Sequence, residues 1–200
     1  MRIQSIRKHI PPLKSWLIFA AGFATCIGGL LALGLLFYAY MVAPIQEEMM
    51  KSGKLPPPRI GVTHPASYDL AFTDKNGTAL KLESYRGKVI ILNFWATWCG
   101  PCMMELPSLG ALAARYARDK DVVVLCLSEE PTGEIYENKQ AQASKAPLFS
   151  YHGQNLPAAY KTTGIPATFV IDKQGKIVSS HVGLADWSAS SFIEDINHLK

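Results

Sequence analysis

The sequence predicts an α/β domain that follows a single transmembrane helix. Residues 88–128 show the pattern of a buried strand, a helix and a second buried strand, and shorter strand patterns flank this unit. A strand, a helix and a strand in that order imply a right-handed crossover between two parallel strands. The membrane helix is predicted by 27 consecutive uncharged residues, from Trp16 to Val42.

The uncharged run, residues 16–42, would extend roughly 40 Å as a helix, which is enough to cross a bilayer with tilt. Residues 1–15 contain four basic and no acidic side chains. This charge bias predicts a cytoplasmic N-terminal segment and export of everything after the run. A cleaved signal peptide is a weaker alternative because the apolar run exceeds the length of a signal h-region. Lipidation at Cys26 is another, disfavoured by the long apolar run that follows it.

Residues 43–67 contain five prolines, which favour extended, semi-rigid backbone over helix. We therefore expect a linker here and one domain over residues 68–200. The four basic residues before residue 16 equal the whole net charge of +4, so the later charges balance. The sequence therefore indicates no basic surface for nucleic acid.

The elements of the domain are predicted in chain order. A hairpin is expected at residues 68–82, because Asn76-Gly77 tolerates the positive φ angles of a tight turn. The central unit follows, with a strand at 88–95, a helix from Cys99 to Tyr116 and a strand at 121–128. The remaining predicted elements are a polar helix at 132–145, a short helix at 156–160, a hairpin at 167–182 and a closing amphipathic helix at 188–199, capped by a serine.

Two of the four cysteines, Cys99 and Cys102, are separated only by Gly100 and Pro101 and lie where the central helix begins. A structural zinc site needs four ligands, usually in closely spaced pairs, whereas the histidines after the membrane run are scattered singly. A permanent staple is also disfavoured, because so short a loop constrains little of the unfolded chain. A redox pair fits the spacing, since one thiolate can attack a substrate disulfide and the second thiol can resolve the mixed disulfide.

The helix start predicts different roles for the two thiols. Unpaired N–H groups and the helix dipole are expected to stabilise the thiolate of Cys99, the attacking residue. Cys102, one turn further on, is expected to be shielded and to act as the resolving thiol. Trp95 is predicted to pack in the core, while Trp98 could equally pack or contact substrate. Cys126, in the centre of a buried strand, is expected to be inert.

These residues also carry a family resemblance. "FWATWCGPC", the proline at position 107 and "GIPATFVID" resemble the thioredoxin superfamily, and "YRGKVIILNFWATWCGPCMMELP" is similar to its membrane-anchored TlpA/ResA/CcmG class. The resemblance covers residues 68–200 and implies a thioredoxin-like fold, with a central mixed sheet flanked by helices. It also implies a cis peptide between Ile165 and Pro166, packed against the cysteine pair, which leaves the backbone of Ile165 free to pair with a peptide. The alternative is a trans-proline that ends a loop. The implied substrate-binding residues are Trp98, Gly100, Pro101, Ile165 and Pro166.

One departure from thioredoxin concerns the proton acceptor. Thioredoxin carries a buried carboxylate on the strand before the active site, where this chain has Asn93, which cannot accept a proton. Glu105 lies one helical turn after Cys102, and a glutamate here is typical of the resembled class. We expect burial beside Met103 and Leu106 to raise the pKa of Glu105. The alternative is an ordinary exposed helix glutamate.

The resemblance implies a thiol-disulfide oxidoreductase on the outer face of a bacterial cytoplasmic membrane, with its domain facing the periplasm or cell exterior. Gly100-Pro101 is the thioredoxin dipeptide, which is typical of reductants. The expected substrates are disulfides of exported proteins, for example in cytochrome c maturation or copper-site assembly. The expected electron donor is a membrane thiol carrier. No metal and no cofactor beyond the Cys99–Cys102 disulfide is expected.

Three other functions stay open at this point. A metallochaperone would bind copper or zinc through Cys99, Cys102 and one histidine such as His181. A peroxiredoxin-like peroxidase is disfavoured, because that family's proline and threonine or serine positions are Leu92 and Ala96 here. A domain that only docks a partner would not need either thiol.

Overall fold

The structure, a computed structural model, describes residues 28–37, 39–40, 61 and 64–200. The chain divides into two compact units, residues 1–53 and 54–200, and residues 28–37 of the first unit are helical. Within the described ranges, no helix is both long enough and apolar enough to cross a membrane. The predicted span at 16–42 and linker at 43–67 lie for the most part outside the described residues.

The second unit contains an eight-stranded sheet with the strand order β1-β8-β7-β4-β5-β6-β2-β3. Strands β4, β5 and β6 run parallel, and the remaining neighbours pair antiparallel. This arrangement confirms the predicted mixed sheet. The strands are β1 (His64–Pro65), β2 (Ala71–Thr73), β3 (Ala79–Lys81), β4 (Val89–Trp95), β5 (Val122–Ser128), β6 (Leu148–Ser150), β7 (Ala167–Ile171) and β8 (Lys176–Val182).

Four α-helices accompany the sheet: α1 (Gly100–Arg115), α2 (Thr132–Glu137), α3 (Lys139–Ala143) and α4 (Ser190–His198). Two 3₁₀ turns add to them, at Leu82–Tyr85 and Ala158–Tyr160. The expected hairpins, central strands and central helix are confirmed. Strands β1 and β6 were not predicted, because strands of two and three residues are too short to show a period.

Three helix predictions need correction. The single polar helix predicted at 132–145 is wrong, because the chain breaks at Asn138, whose side chain accepts a hydrogen bond from the N–H of Ala141 and so caps α3. The helix predicted at 156–160 is only the 3₁₀ turn Ala158–Tyr160. The serine cap predicted for α4 is also wrong, since Ala189 occupies the cap position and makes no side-chain hydrogen bond.

Strand β4 is buried along its whole length, so its alternating side chains enter two separate cores. Val89, Ile91 and Trp95 join the core beneath α1, which also contains buried residues of α2, α3 and α4. Ile90 and Leu92 join the core on the opposite face, under the first hairpin and the two 3₁₀ turns. Burial on both faces fixes the carboxyl end of β4, from which residues 96–99 lead into α1.

A close approach between α1 and the segment after α3 depends on Gly110. A Cβ atom at this position would lie 2.0 Å from the carbonyl oxygen of Ser144 and 3.1 Å from the N atom of Ala146. Both atoms belong to the backbone, so neither can move away as a flexible side chain could. The absence of a side chain at Gly110 therefore sets how closely these two segments pack.

We predict that Gly110→Ala destabilises the domain, although glycine to alanine in a helix interior ordinarily stabilises by up to ~1 kcal/mol. The added methyl group must displace backbone, which lowers the free energy of unfolding by roughly 1–3 kcal/mol. Denaturant unfolding of the oxidised chain, followed by tryptophan fluorescence, measures this change. Gly133→Ala in α2 is the matched control, because no atom lies within 4 Å of the added Cβ there. A Gly110→Ala variant as stable as the control would contradict the packing described.

Candidate active site

Cys99 and Cys102 form a disulfide at the start of α1, with the two sulfurs 2.03 Å apart. Cys99 is the N-cap residue of this helix, and the backbone N–H of Cys102 points at its Sγ atom, 3.2 Å away. The same N–H would stabilise negative charge on Sγ once the disulfide is reduced. Cys99 is 5% exposed to solvent and Cys102 is 0% exposed, so the second cysteine is shielded more completely.

The peptide bond between Ile165 and Pro166 is cis, as predicted. The carbonyl oxygen of Ile165 lies 3.8 Å from Sγ of Cys99, so the loop before β7 reaches the disulfide. Trp95 is 2% exposed and packs in the core, in agreement with its prediction. Trp98 is 74% exposed beside Cys99, while Gly100 and Pro101 are also exposed. Three of the residues predicted to contact substrate are therefore exposed beside the disulfide, whereas Ile165 is half-buried and Pro166 is buried.

Glu130 holds the loop that leads from β4 to Cys99. Its carboxylate accepts hydrogen bonds from the backbone N–H of Thr97 (2.7 Å), the hydroxyl of Thr97 (2.5 Å) and the hydroxyl of Ser128 (2.8 Å). The hydroxyl of Ser150 in turn donates to the carbonyl oxygen of Glu130 at 2.6 Å. The ends of β5 and β6 thereby fix the backbone two residues before Cys99.

Glu105 is fully buried beneath the disulfide-bearing end of α1, with 0% exposure. Its carboxylate accepts hydrogen bonds from the side-chain N–H of Asn93 (2.7 Å), the backbone N–H of Ala185 (3.3 Å) and the indole N–H of Trp187 (3.2 Å). These donors come from β4 and from the loop between β8 and α4. The alternative of an exposed helix glutamate is therefore wrong.

Burial raises the pKa of Glu105 from 4.5 to about 7, because the charged form loses its hydration. The three hydrogen bonds, from Trp187, Asn93 and Ala185, act in the opposite direction because they favour the carboxylate. The predicted direction of the shift is thus confirmed. A carboxyl group with a pKa near 7 can both accept and release a proton at neutral pH.

Asn93 replaces the carboxylate of thioredoxin with an amide that links two neighbours. Its side-chain N–H₂ donates to Glu105 and also to the hydroxyl of Thr168 on β7, at 2.8 Å. Cys126 is the residue paired with Asn93 on β5, and it is completely buried. Desolvation, followed by the nearby charge of Glu105, raises the pKa of the Cys126 thiol strongly. Cys126 is therefore held as an unreactive thiol, as the sequence predicted.

His181, the histidine considered as a possible third metal ligand, packs against an aromatic ring. The ring of His181 meets the indole of Trp187 edge to face, with the ring centroids 5.8 Å apart. Throughout the described part of the chain, no three His, Cys, Asp or Glu side chains form a group that could hold a metal ion. His181 is accordingly not brought together with Cys99 and Cys102 as a three-ligand site.

Two residues of this site were missed by the sequence analysis. Glu130 follows β5 by two positions, and an acidic residue after a buried strand at the crossover edge could have drawn attention to it. Trp187 lies 82 residues after its partner Glu105, and no local pattern indicates such a contact. Trp187 is buried although it lies in a loop, and no periodic spacing of apolar residues marks a buried loop residue.

We predict that ionisation of Glu105 makes the folded chain less stable as the pH rises. The folded pKa, about 7, lies above the unfolded value of 4.5, so the stability is complete below pH 4.5 and is lost as pH rises through about 7. This difference corresponds to on the order of 3 kcal/mol. Glu105→Gln removes the titration, so its free energy of unfolding should change less between pH 4.5 and pH 8.

Denaturant unfolding of the two oxidised proteins across this pH range measures the difference. In the variant, the NH₂ group of glutamine would face N–H donors that now bind a carboxylate oxygen. This mismatch lowers the stability of the variant by an amount that does not vary with pH. The test therefore depends only on how steeply the free energy of unfolding changes with pH in each protein. Parallel curves for the two proteins would show that Glu105 titrates near its ordinary value in the folded state.

Comparison with known proteins supports the assignment of Cys99 and Cys102 as a redox-active pair. The chain is 30% identical over 171 residues to thiol-disulfide oxidoreductase ResA of Bacillus thuringiensis (strain Al Hakam), covering 85% of this chain and 90% of the relative. It resembles the solution structure of a candidate protein disulfide isomerase from Bacteroides thetaiotaomicron, with a TM-score of 0.60, 27% identity, and 73% and 92% of the two chains covered. It also resembles the crystal structure of a candidate thiol:disulfide interchange protein DsbE from Chlorobium tepidum, with a TM-score of 0.53, 27% identity, and 72% and 98% covered. The thioredoxin-like α/β fold is confirmed, and because residues 58–195 match the redoxin family, the chain belongs to that family.

Proposed function

We propose that this protein is a membrane-tethered reductant that transfers two electrons from Cys99 and Cys102 to disulfides of exported proteins. The activity class is that of a thiol-disulfide oxidoreductase, and its substrates are disulfide-containing proteins. The observation that carries the proposal is the Cys99–Cys102 disulfide at the start of α1, beside the cis Ile165–Pro166 peptide.

The reaction begins with the dithiol form. The thiolate of Cys99 attacks one sulfur of the substrate disulfide, which forms a mixed disulfide and releases the other sulfur as a thiolate. Cys102 then loses its proton and attacks Sγ of Cys99. The Cys99–Cys102 disulfide forms, the second substrate thiolate leaves, and the substrate has gained two electrons.

Glu105 is the proposed proton acceptor for Cys102. It lies one helical turn beyond Cys102 on α1, and both residues are 0% exposed. Solvent base has poor access to such a thiol, so an internal acceptor is needed. The pKa of about 7 matches this task, because about half of the carboxyl groups are ionised at neutral pH.

The substrate is proposed to lie across the disulfide. Trp98, Gly100 and Pro101 are exposed on one side, and the backbone of Ile165 and Pro166 lies on the other. A peptide in extended conformation could pair with the backbone of Ile165 and present its sulfur to Cys99. Sheet-like pairing uses the main chain, so it accepts many sequences.

The proposed location is a bacterial cytoplasmic membrane, with residues 16–42 spanning the bilayer and the domain on the outer side. Support comes from the uncharged run and from the four basic residues before it. A membrane thiol carrier is the proposed electron donor, since the oxidised pair must be reduced again after each cycle. Cytochrome c maturation and copper-site assembly are two settings with such substrates.

Trapping of the mixed disulfide tests the proposed reaction. Cys102→Ser keeps the attacking thiol and removes the resolving one, so it should accumulate disulfide-linked partners through Cys99. Cys99→Ser should accumulate far fewer, because the remaining thiol is shielded. Non-reducing electrophoresis after acid quenching of cells measures both, with the double variant Cys99→Ser, Cys102→Ser as the control. Equal trapping by the two single variants would reject the assigned roles, and stronger trapping by Cys99→Ser would reverse them.

A reporter fused after Lys200 tests the proposed orientation. A reporter that needs an oxidising compartment should be active, and a reporter that works only in the cytoplasm should be silent. Exchange of the four basic residues before position 16 for glutamine should weaken this asymmetry. Activity of the cytoplasmic reporter in the natural chain would reject the outward orientation.

A further inference from the structure

A groove of about 570 Å³ opens beside the disulfide. Residues from three segments line it: the loop before Cys99, the ends of β5 and β6, and the loop before Pro166. We call it the acidic groove and define it by six of its lining residues, namely Trp98, Glu129, Glu130, Tyr151, His152 and Ile165. Because Trp98 and Ile165 also flank Cys99, the groove lies next to the sulfur that a substrate disulfide approaches.

The charge of the groove is negative. Glu129 and Glu130 both line it, and no lysine or arginine does so among the described residues. The carboxylate of Glu130 is already occupied by Thr97 and Ser128. The side chain of Glu129 is exposed and has no hydrogen bond or ion pair within the described part of the chain. Glu129 is therefore a carboxylate that remains free for a bound molecule.

The walls of the groove are aromatic and held in place. The ring of Tyr151 packs edge to face on Phe94, with the centroids 5.7 Å apart. Its pKa is raised by burial and, to a lesser degree, by the charge of Glu129, which lines the same groove. A ring nitrogen of His152 lies 2.9 Å from the carbonyl oxygen of Glu129, and the N–H of Tyr151 donates to the carbonyl oxygen of Ser128 at 2.8 Å.

A free carboxylate in a groove that is also lined by the exposed Trp98 and the half-buried Tyr151 is an environment that arginine and lysine side chains favour, through charge and through contact with the ring face. We propose that the acidic groove selects substrates that carry an arginine or lysine close to the cysteine attacked by Cys99. This inference rests on the proposed function, and it adds a specificity residue, Glu129, to a site whose main-chain pairing is tolerant of sequence. An acidic residue at the same place in the substrate is disfavoured by repulsion.

Three peptides test the proposal. Each contains one intramolecular disulfide, and they differ only in the residue next to the first cysteine, which is arginine, glutamine or glutamate. Second-order rate constants are measured in single turnovers with the pre-reduced full chain at low ionic strength. We expect the arginine peptide to react about fivefold faster than the glutamate peptide, and the ratio to fall toward one in about 1 M salt.

Glu129→Gln should reduce the ratio at low salt to below about twofold, because it removes the free charge and keeps the shape. Glu137→Gln is the matched control, since Glu137 is exposed on α2 outside the groove and its loss should leave the ratio of the natural chain unchanged. Glu130 is unsuitable for this test because it holds Thr97.

The outcomes separate the inference from the proposed function. Reduction of the glutamine peptide with equal rates for all three peptides would overturn the selection by charge and leave the oxidoreductase intact. An equal loss of preference in the Glu129→Gln and Glu137→Gln variants would overturn the assignment to the groove. Failure to reduce any of the peptides would overturn the proposed function, and the groove proposal with it.

Discussion

The carboxylate of Glu105 accepts hydrogen bonds from three residues in two separate parts of the fold: Asn93 on β4, and Ala185 and Trp187 in the loop after β8. Through this one group the active-site helix is joined both to the centre of the sheet and to the segment that leads into α4. The three donors offset part of the cost of burying a charge, and the remainder appears as the raised pKa. The carboxyl group that joins the helix to the sheet therefore also has a pKa of about 7, which suits the proton acceptor that we propose for Cys102.

The reactive end of the site depends on the parallel pair of β4 and β5. Both strands end at the same edge of the sheet, so the loop before Cys99 and the residues after β5 are neighbours. Glu130 uses this proximity to bind Thr97, and Glu129 beside it faces the groove. Adjacent glutamates thus take different tasks, because one carboxylate is occupied by the protein and the other is free.

Much of this site could be predicted from the sequence, because its main features are local. The CxxC spacing, the helix start at Cys99 and the turn of helix from Cys102 to Glu105 lie within seven residues. The cis Ile165–Pro166 peptide followed from the family resemblance. The partners of Glu105 could not be predicted, since Ala185 and Trp187 lie 80 and 82 residues away. The same limit explains the broken helix at Asn138, where a side-chain cap interrupts a pattern that resembled one continuous polar helix.

The most direct test of the account is the pH dependence of the resolving step, in which Cys102 attacks the mixed disulfide. Decay of a mixed disulfide between Cys99 and a peptide can be followed by acid quenching and mass spectrometry between pH 5 and pH 9, a window that spans raised carboxyl and thiol pKa values. If Glu105 accepts the proton of Cys102, the natural chain should show an inflection near pH 7 in this rate. Glu105→Gln should decay more slowly and lack the inflection, while its Cys99 still alkylates readily. Superimposable profiles would contradict the account and reduce Glu105 to a residue that only holds the helix in place.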